Sequence, residues 1–101
     1  ASFLRSIDME RLLKLKPALE SHTSVIDKPL LVDLQRVDFL DSAAVGVLAV
    51  LFRHTQKQGL GIAFSGAQPQ AEAVLSMVGL SDLVPLFANQ NEAKAYLLKK
   101  S

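Results

Sequence analysis

Two short, almost entirely apolar segments constrain the fold of this chain most strongly. They are LLVDL (30–34) and GIAFS (61–65), and neither alternates apolar with polar residues. Such strands suit a sheet whose two faces are both covered by helices, as in parallel α/β structures. Between them, the residues from Ser42 onward predict one helix that ends near Gly59, a residue suited to a left-handed helix end. The order strand, helix, strand predicts an α/β domain with a largely parallel sheet.

The rest of the chain continues this alternation. The further predicted elements are a strand over 3–7, a helix over 9–22 capped by Asp8 and bent or shortened by Pro17, a polar loop over 21–29, a helix from Pro69 to Gly79, a short edge strand over 83–87 with Pro85, and a helix over 91–100. No internal repeat and no linker divides the 101 residues. A chain of this length is expected to form one domain, spanning 1–101.

Composition and charge exclude several classes of partner. The net charge is +1 and the basic residues are scattered apart from Lys99-Lys100, so there is no electrostatic case for nucleic-acid binding. The absence of cysteine excludes disulfides and thiolate metal sites and agrees with a cytoplasmic location. The longest nearly uninterrupted apolar run, 43–52, is far shorter than a membrane span, and no signal-peptide pattern opens the chain. Direct insertion into a membrane is therefore not expected.

The residue pattern supports neither catalysis nor metal binding. Ser42 and His54 are residue types of a serine hydrolase, but no G-x-S-x-G elbow surrounds Ser42. His54 would lie about 18 Å along the same helix, too far for proton transfer. His22 and His54 lack ligand spacing, and His22 is interpreted as a solvated or capping residue at a helix end. We therefore expect no enzyme activity, no metal and no cofactor.

Asp33 ends a buried strand, as the phosphorylated aspartate of a response-regulator receiver does. Receivers also need a preceding acidic pair for Mg²⁺ and a lysine at the end of a later strand. Gly66-Ala67 follows Ile62–Ser65 at the place where that lysine would stand. Asp33 is therefore interpreted as a strand-end or surface residue.

Ser42 stands where the central helix is predicted to begin. As the helix N-cap, its hydroxyl oxygen would accept a backbone N–H, which is an ordinary role for serine. The same place is an exposed loop tip at the positive end of the helix dipole. A phosphate would be tolerated there and would add up to about two negative charges beside Asp41 and near Asp38. The residues leave both roles open, and the two are compatible.

The helix that begins at Ser42 is apolar on more than one side. Spacing of i, i+3, i+4, i+7 predicts a core face made of Val45, Leu48, Ala49 and Phe52. A second apolar side carries Ala43, Val47, Val50 and Leu51. Either other elements cover this second side or part of it docks a protein partner, and the sequence leaves these alternatives equal.

Taken in order, these segments resemble the STAS domain of bacterial anti-sigma-factor antagonists. The family pattern is an aliphatic strand ending in D-L, a hydrophobic residue before D-S-[SA]-G-[LI]-G, then a helix, a strand and a segment ending in G-L. Here it appears as Val32-Asp33-Leu34, Phe39-Leu40-Asp41-Ser42-Ala43-Ala44-Val45-Gly46 and Gly79-Leu80. Ser6-Ile7-Asp8 also stands where the family often has G-x-[LI]-D, so the resemblance runs roughly from Ile7 to Leu97.

The resemblance implies a single STAS-like domain with about four helices packed on a mixed or parallel sheet, and no catalysis. In such antagonists, the serine after the loop aspartate is phosphorylated by a partner serine kinase that is itself the anti-sigma factor. Phosphorylation ends the binding. By this resemblance, Ser42 is the phosphorylation site and Asp41 shapes the switch loop. The implied partner-binding residues are Ala43, Gly46, Val47 and Val50.

Two departures from the family pattern matter. Ala44 replaces the usual glycine, which is expected to alter the closest backbone approach of a partner. One or two N-terminal strands of the family are expected to be absent, because the sequence is either trimmed or divergent at this end. STAS domains also occur in sulphate-permease-type anion transporters, phospholipid-transport complexes and stressosome scaffolds. The alternative prediction is therefore a regulatory domain or subunit of a membrane anion or lipid transporter that binds partner chains without a phospho-switch.

Overall fold

Strands and helices alternate along the chain, as the apolar segments predict. The structure, a computed structural model, describes residues 4–20 and 28–100. The elements are β1 (Arg5–Asp8), α1 (Met9–Lys14), α2 (Lys16–Glu20), β2 (Leu30–Asp33), α3 (Ser42–Lys57), β3 (Ile62–Ser65), α4 (Pro69–Met77), α5 (Leu80–Leu83), β4 (Leu86–Phe87) and α6 (Gln90–Lys100). Phe3, His22 and most of the predicted loop over 21–29 lie outside the described residues.

The four strands form one parallel sheet in the order β1-β2-β3-β4. The register places Asp33 of β2 opposite Asp8 on one side and Ser65 on the other. Among the strands of residues 4–20 and 28–100, β4 pairs only with β3, and the Pro85 carbonyl accepts the Phe64 N–H at 3.0 Å. Because proline has no N–H to donate, an edge position suits this segment, and the predicted edge strand is confirmed in a shorter form.

Consecutive residues of a strand point to opposite faces, so the sheet has two separate cores. On one face, Val32 and Phe64 pack with the buried residues of α1, α3, α4 and α5. On the other face, Leu31 and Ala63 pack with Ala93 and Leu97 of α6. β2 and β3 are thus covered on both sides, which confirms the interpretation of their continuous apolar sequences.

Two predicted elements differ from the structure. The helix predicted over 9–22 is divided, because Pro17 has no N–H to donate to the Leu13 carbonyl: α1 ends at Lys14 and α2 begins at Lys16. The predicted cap of α1 is confirmed, since Asp8 Oδ1 accepts the Arg11 N–H at 2.9 Å. Near the other end of the chain, Gly79 adopts a left-handed φ of 85° and a further short helix, α5, follows it. Leu83, predicted as strand, belongs to this helix.

The buried face of α3 also differs from the predicted one. It consists of Ala44, Val47, Leu48, Leu51 and Thr55. Of the predicted core face, only Leu48 is fully buried, whereas Val45, Ala49 and Phe52 are half-buried. A helix that is apolar on two sides has no unique apolar stripe, so its packing against the sheet decides its rotation.

Candidate functional site

The connection between β2 and α3, residues 34–41, places the serine that the sequence singles out. It leaves the sheet through a tight turn, because Asp33 Oδ1 accepts the Gln35 N–H at 2.9 Å and the Leu34 carbonyl accepts the Val37 N–H at 3.0 Å. The Leu34 N–H also donates to the Ser65 carbonyl at 2.8 Å, which ties the start of the loop to β3. We call residues 34–41 the β2–α3 loop.

Gly66, the first residue after β3, lets the β2–α3 loop approach the neighbouring connection closely. Its φ is 69°, a left-handed conformation that favours glycine. A Cβ added at this position would lie 3.2 Å from the Gln35 Cβ and 3.3 Å from its Cα. The loop therefore packs directly on backbone, and a larger residue at position 66 would displace it.

Two glutamines at the start of α4 hold the β2–α3 loop by hydrogen bonds to its backbone. Gln70 Oε1 accepts the Leu40 N–H at 2.8 Å, and Gln70 Nε2 donates to the Leu40 carbonyl at 3.5 Å. Gln68 Nε2 donates to the Gln35 carbonyl at 2.8 Å and to Asp38 Oδ1 at 3.3 Å. The sequence analysis missed both residues. The only local signal is their position around Pro69, and it does not identify a partner 30 residues away.

The N-cap of α3 is Asp41, not Ser42, so the sequence interpretation of Ser42 as the cap is wrong. Asp41 has an extended backbone and its Oδ1 accepts the Ala44 N–H at 2.8 Å. Ser42 is the first helical residue, and its hydroxyl makes no hydrogen bond to any described residue. Asp and Ser are both good N-caps, and the sequence alone could not choose between adjacent ones. The correction removes the structural role expected for the Ser42 hydroxyl.

Around the head of α3, the exposed residues include Phe39, Ser42, Ala43 and Gly46. Phe39 is 70% exposed, although the sequence analysis gave it no role. A Cβ built on Gly46 would meet no atom within 4 Å, so the space beside the helix is open there. The arrangement presents an apolar ring, a hydroxyl and a short stretch of bare helix backbone to solvent.

Val47 and Val50, two of the residues expected to bind the partner, are less exposed than a partner-binding role requires. Val47 is 2% exposed and belongs to the core on the α3 side of the sheet, so its assignment to a surface is corrected. Val50 is half-buried and packs against the same core, leaving only part of its side chain accessible. Rotation of α3, by which Val47 instead of Val45 faces the sheet, accounts for the difference.

The structure does not support the hypotheses of a serine hydrolase, a phosphorylated Asp33 or a metal site. Ser42 and His54 lie at opposite ends of α3. Asp33 is engaged within the protein, with Oδ1 accepting from Gln35 and Oδ2 accepting from Gln90 Nε2 at 3.0 Å. Across residues 4–20 and 28–100, no group of three or more acidic or histidine side chains is arranged to hold a metal ion. Over the same residues, none of the helices combines the length and apolarity that crossing a membrane requires.

The fold has clear relatives among solved structures. The STAS domain of a SulP transporter from Vibrio cholerae superposes with a TM-score of 0.79 at 18% identity, covering 99% of this chain and 84% of that one. A Thermotoga maritima protein assigned provisionally as an anti-sigma factor antagonist gives a TM-score of 0.71 at 20% identity, covering 96% and 83%. These identities establish the fold alone. No curated protein matches the sequence.

A family model narrows the relationship further. The model of the STAS domain matches residues 4–93, which include all four strands, the β2–α3 loop and α3. The chain therefore belongs to the STAS domain family.

Proposed function

We propose that this chain is a non-enzymatic regulatory module of the anti-sigma-factor-antagonist type, and that phosphorylation of Ser42 by a partner serine kinase switches its binding off. One observation carries the proposal. Ser42 is exposed and its hydroxyl makes no hydrogen bond to the described residues, while the adjacent Asp41 caps α3. Because the helix does not depend on this hydroxyl, a kinase could esterify it without removing a structural contact.

A phosphate on Ser42 would change the charge of the surface far more than the fold. As the first residue of α3, Ser42 lies at the positive end of the helix dipole, which tolerates an anion. Asp38 and Asp41 are exposed in the preceding loop, and the phosphate would add about −1.5 to −2 charge beside them at pH 7. The resulting concentration of negative charge would repel an acidic partner surface, and an apolar one would strip the phosphate of its water at a large cost, while the buried side of α3 stays in place.

The docking surface that we assign consists of Phe39, Ser42, Ala43 and Gly46, with half-buried Val50 at its margin. An exposed aromatic ring is the type of side chain that anchors protein interfaces. Gly46 has no side chain, so a partner could approach the backbone of α3 closely at this point. Asp41 acts on the docking surface indirectly, by fixing where the loop ends and the helix begins.

In this role the unphosphorylated protein binds the kinase, which is itself the anti-sigma factor, and frees the sigma factor for transcription. Phosphorylated Ser42 ends that binding. The protein would act in the bacterial cytoplasm and would need no cofactor, nucleic acid or membrane insertion. Net charge of +1 without a basic cluster in the body of the chain supports a protein partner over nucleic acid.

The test combines partner capture with a charge series at one position. The captured serine kinase is incubated with the chain and ATP, and mass spectrometry locates the phosphate. Binding to the kinase is then measured for the wild type, Ser42→Ala and Ser42→Asp. We expect Ser42→Ala to bind like the wild type without accepting phosphate, and Ser42→Asp to bind at least about tenfold more weakly, as a misplaced interfacial charge costs more than 1.4 kcal/mol.

The matched control for the charge series is Ser76→Asp, which adds the same charge at an exposed position of α4. It should bind the kinase like the wild type. Equal binding by Ser42→Ala and Ser42→Asp, or a phosphate found only at other residues, would contradict the proposed switch.

A second candidate function is favoured by the likeness to the Vibrio cholerae SulP transporter STAS domain, which extends over 99% of this chain. In that case the chain is a regulatory domain or subunit of an anion or lipid transporter, or of a scaffold, and docks without a phospho-switch. A transporter gene in the same operon or reading frame would support it, whereas a sigma factor and serine kinase as neighbours would support the first candidate. Ser42→Asp should leave assembly with transporter chains unchanged.

A further inference from the structure

A row of four side chains crosses the carboxyl edge of the sheet on the face covered by α6. Residues in register on parallel strands share a face, and the register aligns Asp8, Asp33, Ser65 and Phe87. Ala63, two residues before Ser65, packs with α6, so Ser65 faces the same side. Gln90, the first residue of α6, donates its side-chain N–H to Asp33 in this row. The sheet edge and the start of α6 thus enclose one polar region.

Ser65 is the unusual member of that row. Its side chain is 0% exposed, and its Oγ has no hydrogen-bond partner among the described residues. Buried polar atoms are nearly always paired, because leaving one unpaired costs the full free energy of removing it from water. Packing alone does not require a hydroxyl here, since the neighbouring position on this face, Ala63, is apolar. An unpaired hydroxyl at a sheet edge points to a hydrogen-bonding partner outside the protein.

Ser65 lines a cleft of about 710 Å³. That volume is within the range of about 300–1,000 Å³ that is typical of small-molecule sites. The cleft runs between the start of α6 and the loop after β3, and no residue of the docking surface lines it. Gln35 is its only contribution from the β2–α3 loop.

The charge of the cleft decides which class of ligand it suits. Two carboxylates, Asp33 and Glu72, line it, and none of its described lining residues is a lysine or arginine. The start of α6 contributes roughly half a positive charge, which offsets only part of two full negative charges. An anion would therefore be repelled and a cation attracted. Phe87 adds an aromatic side chain, and aromatic faces attract ammonium and guanidinium groups.

We infer that this cleft binds a small organic cation, a primary ammonium or guanidinium group, whose N–H donors reach the Asp33 carboxylate and, once the ligand displaces the atoms that cover it, the buried Ser65 Oγ. Each Asp33 oxygen already accepts one hydrogen bond, and a carboxylate oxygen can accept a second. Glu72, an exposed residue that also lines the cleft, would interact with a second positive group of a longer ligand. This inference does not depend on the proposed function of Ser42.

The test is a titration of the whole chain, followed through its backbone amide NMR signals. Spermidine represents a free polyamine, N-acetyl-lysine-amide represents a basic side chain of a bound protein, and succinate is the anionic control. We expect saturable shifts at Gly66, Ala67 and residues 89–91 with one of the two cations and none with succinate. Ser65→Ala and Glu72→Gln should each weaken the binding, Ser65→Ala by about tenfold or more, because it removes a hydrogen bond to a charged group.

Asp82→Asn is the matched control, since it removes an exposed carboxylate on α5 that does not line the cleft. It should bind the cation like the wild type. Ser65→Ala should remain folded, because the hydroxyl that it removes has no partner in the described protein. Thermal unfolding of the unliganded variant checks this, and its midpoint should not fall. Absence of saturable shifts at millimolar cation, or an equal loss of binding in Asp82→Asn, would overturn the inference and leave an ordered water as the partner of Ser65.

Discussion

The two sides of the β2–α3 loop differ in burial and in hydrogen bonding. Its inner side is buried and hydrogen-bonded: Leu34 and Leu40 are 0% and 2% exposed, and Gln68 and Gln70 hold the backbone. Its outer side carries Phe39, which is 70% exposed. The difference indicates that the residues that fix the shape of the loop are not the ones that a partner would contact. Substitutions on the inner side should therefore lower the stability of the fold, whereas substitutions on the outer side should weaken binding and leave the stability unchanged.

The same division continues into α3. Ala44 and Val47 face the core, whereas Ala43 and Gly46, one position earlier in each case, are exposed. Because the head of the helix is anchored through buried neighbours, the exposed positions are free to vary in chemistry without altering the frame. The docking surface is thus a set of exposed residues held in place by buried and hydrogen-bonded neighbours.

The largest expected difference is between the adjacent residues Leu40 and Phe39. Leu40→Ala opens a cavity beneath the loop and should lower the free energy of unfolding by about 3 kcal/mol, within the usual range for buried leucines. Phe39→Ala removes a mostly exposed ring and should change it by less than about 0.5 kcal/mol. Urea unfolding followed by circular dichroism measures both. Comparable losses from the two substitutions would mean that the ring of Phe39 packs on the protein in solution.

The two glycines beside the site should respond in opposite directions. Gly66→Ala places a Cβ against Gln35 in a left-handed backbone and should cost about 2 kcal/mol. Gly46→Ala has open space and a helical position, so it should stabilise the fold by about 0.5–1 kcal/mol. Measuring the unfolding free energies of both variants and the wild type under one set of conditions shows whether each substitution stabilises or destabilises the fold. A stabilising Gly66→Ala would show that the loop does not pack against position 66 as described.

Gly46→Ala also separates stability from binding within one variant. If a partner approaches the backbone of α3 at this position, the added methyl group should weaken binding even though the fold becomes more stable. Binding that follows stability, with the stabilised variant binding as well as the wild type, would remove Gly46 from the docking surface.

A feature of this fold could be predicted from the sequence when neighbouring residues determine it, and could not when it depends on residues far apart in the chain. The strands at 30–34 and 61–65 were predictable because burial on both faces leaves a continuous apolar run. The end of α3 was predictable from a single residue, because a glycine favours the left-handed conformation that follows many helices, and Gly59 has a φ of 71°. The hydrogen bond between Gln70 and Leu40 was not, because no rule links two residues 30 apart before the fold is known.

Two other features were ambiguous in the sequence for reasons that the structure makes clear. The rotation of α3 could not be fixed, since apolar residues occupy both sides of the helix and either set satisfies helical spacing. This is why Val47 was predicted on the surface and lies in the core. The second ambiguous feature was the N-cap of α3, because aspartate and serine are both good N-caps, and the choice of Asp41 over Ser42 affects the proposed switch directly.

The smallest expected difference tests that choice. Asp41→Ala removes the carboxylate that accepts the Ala44 N–H and should lower the unfolding free energy by about 1 kcal/mol, the usual cost of losing an N-cap. Ser42→Ala should change it by less than about 0.5 kcal/mol, because the hydroxyl makes no hydrogen bond to the described residues and alanine is a good first-turn residue. Chemical unfolding of both variants at the same pH resolves a difference of this size. If Ser42→Ala proves the more damaging substitution, then the hydroxyl caps α3 after all, and a kinase acting on it would have to break a structural contact instead of modifying a free group.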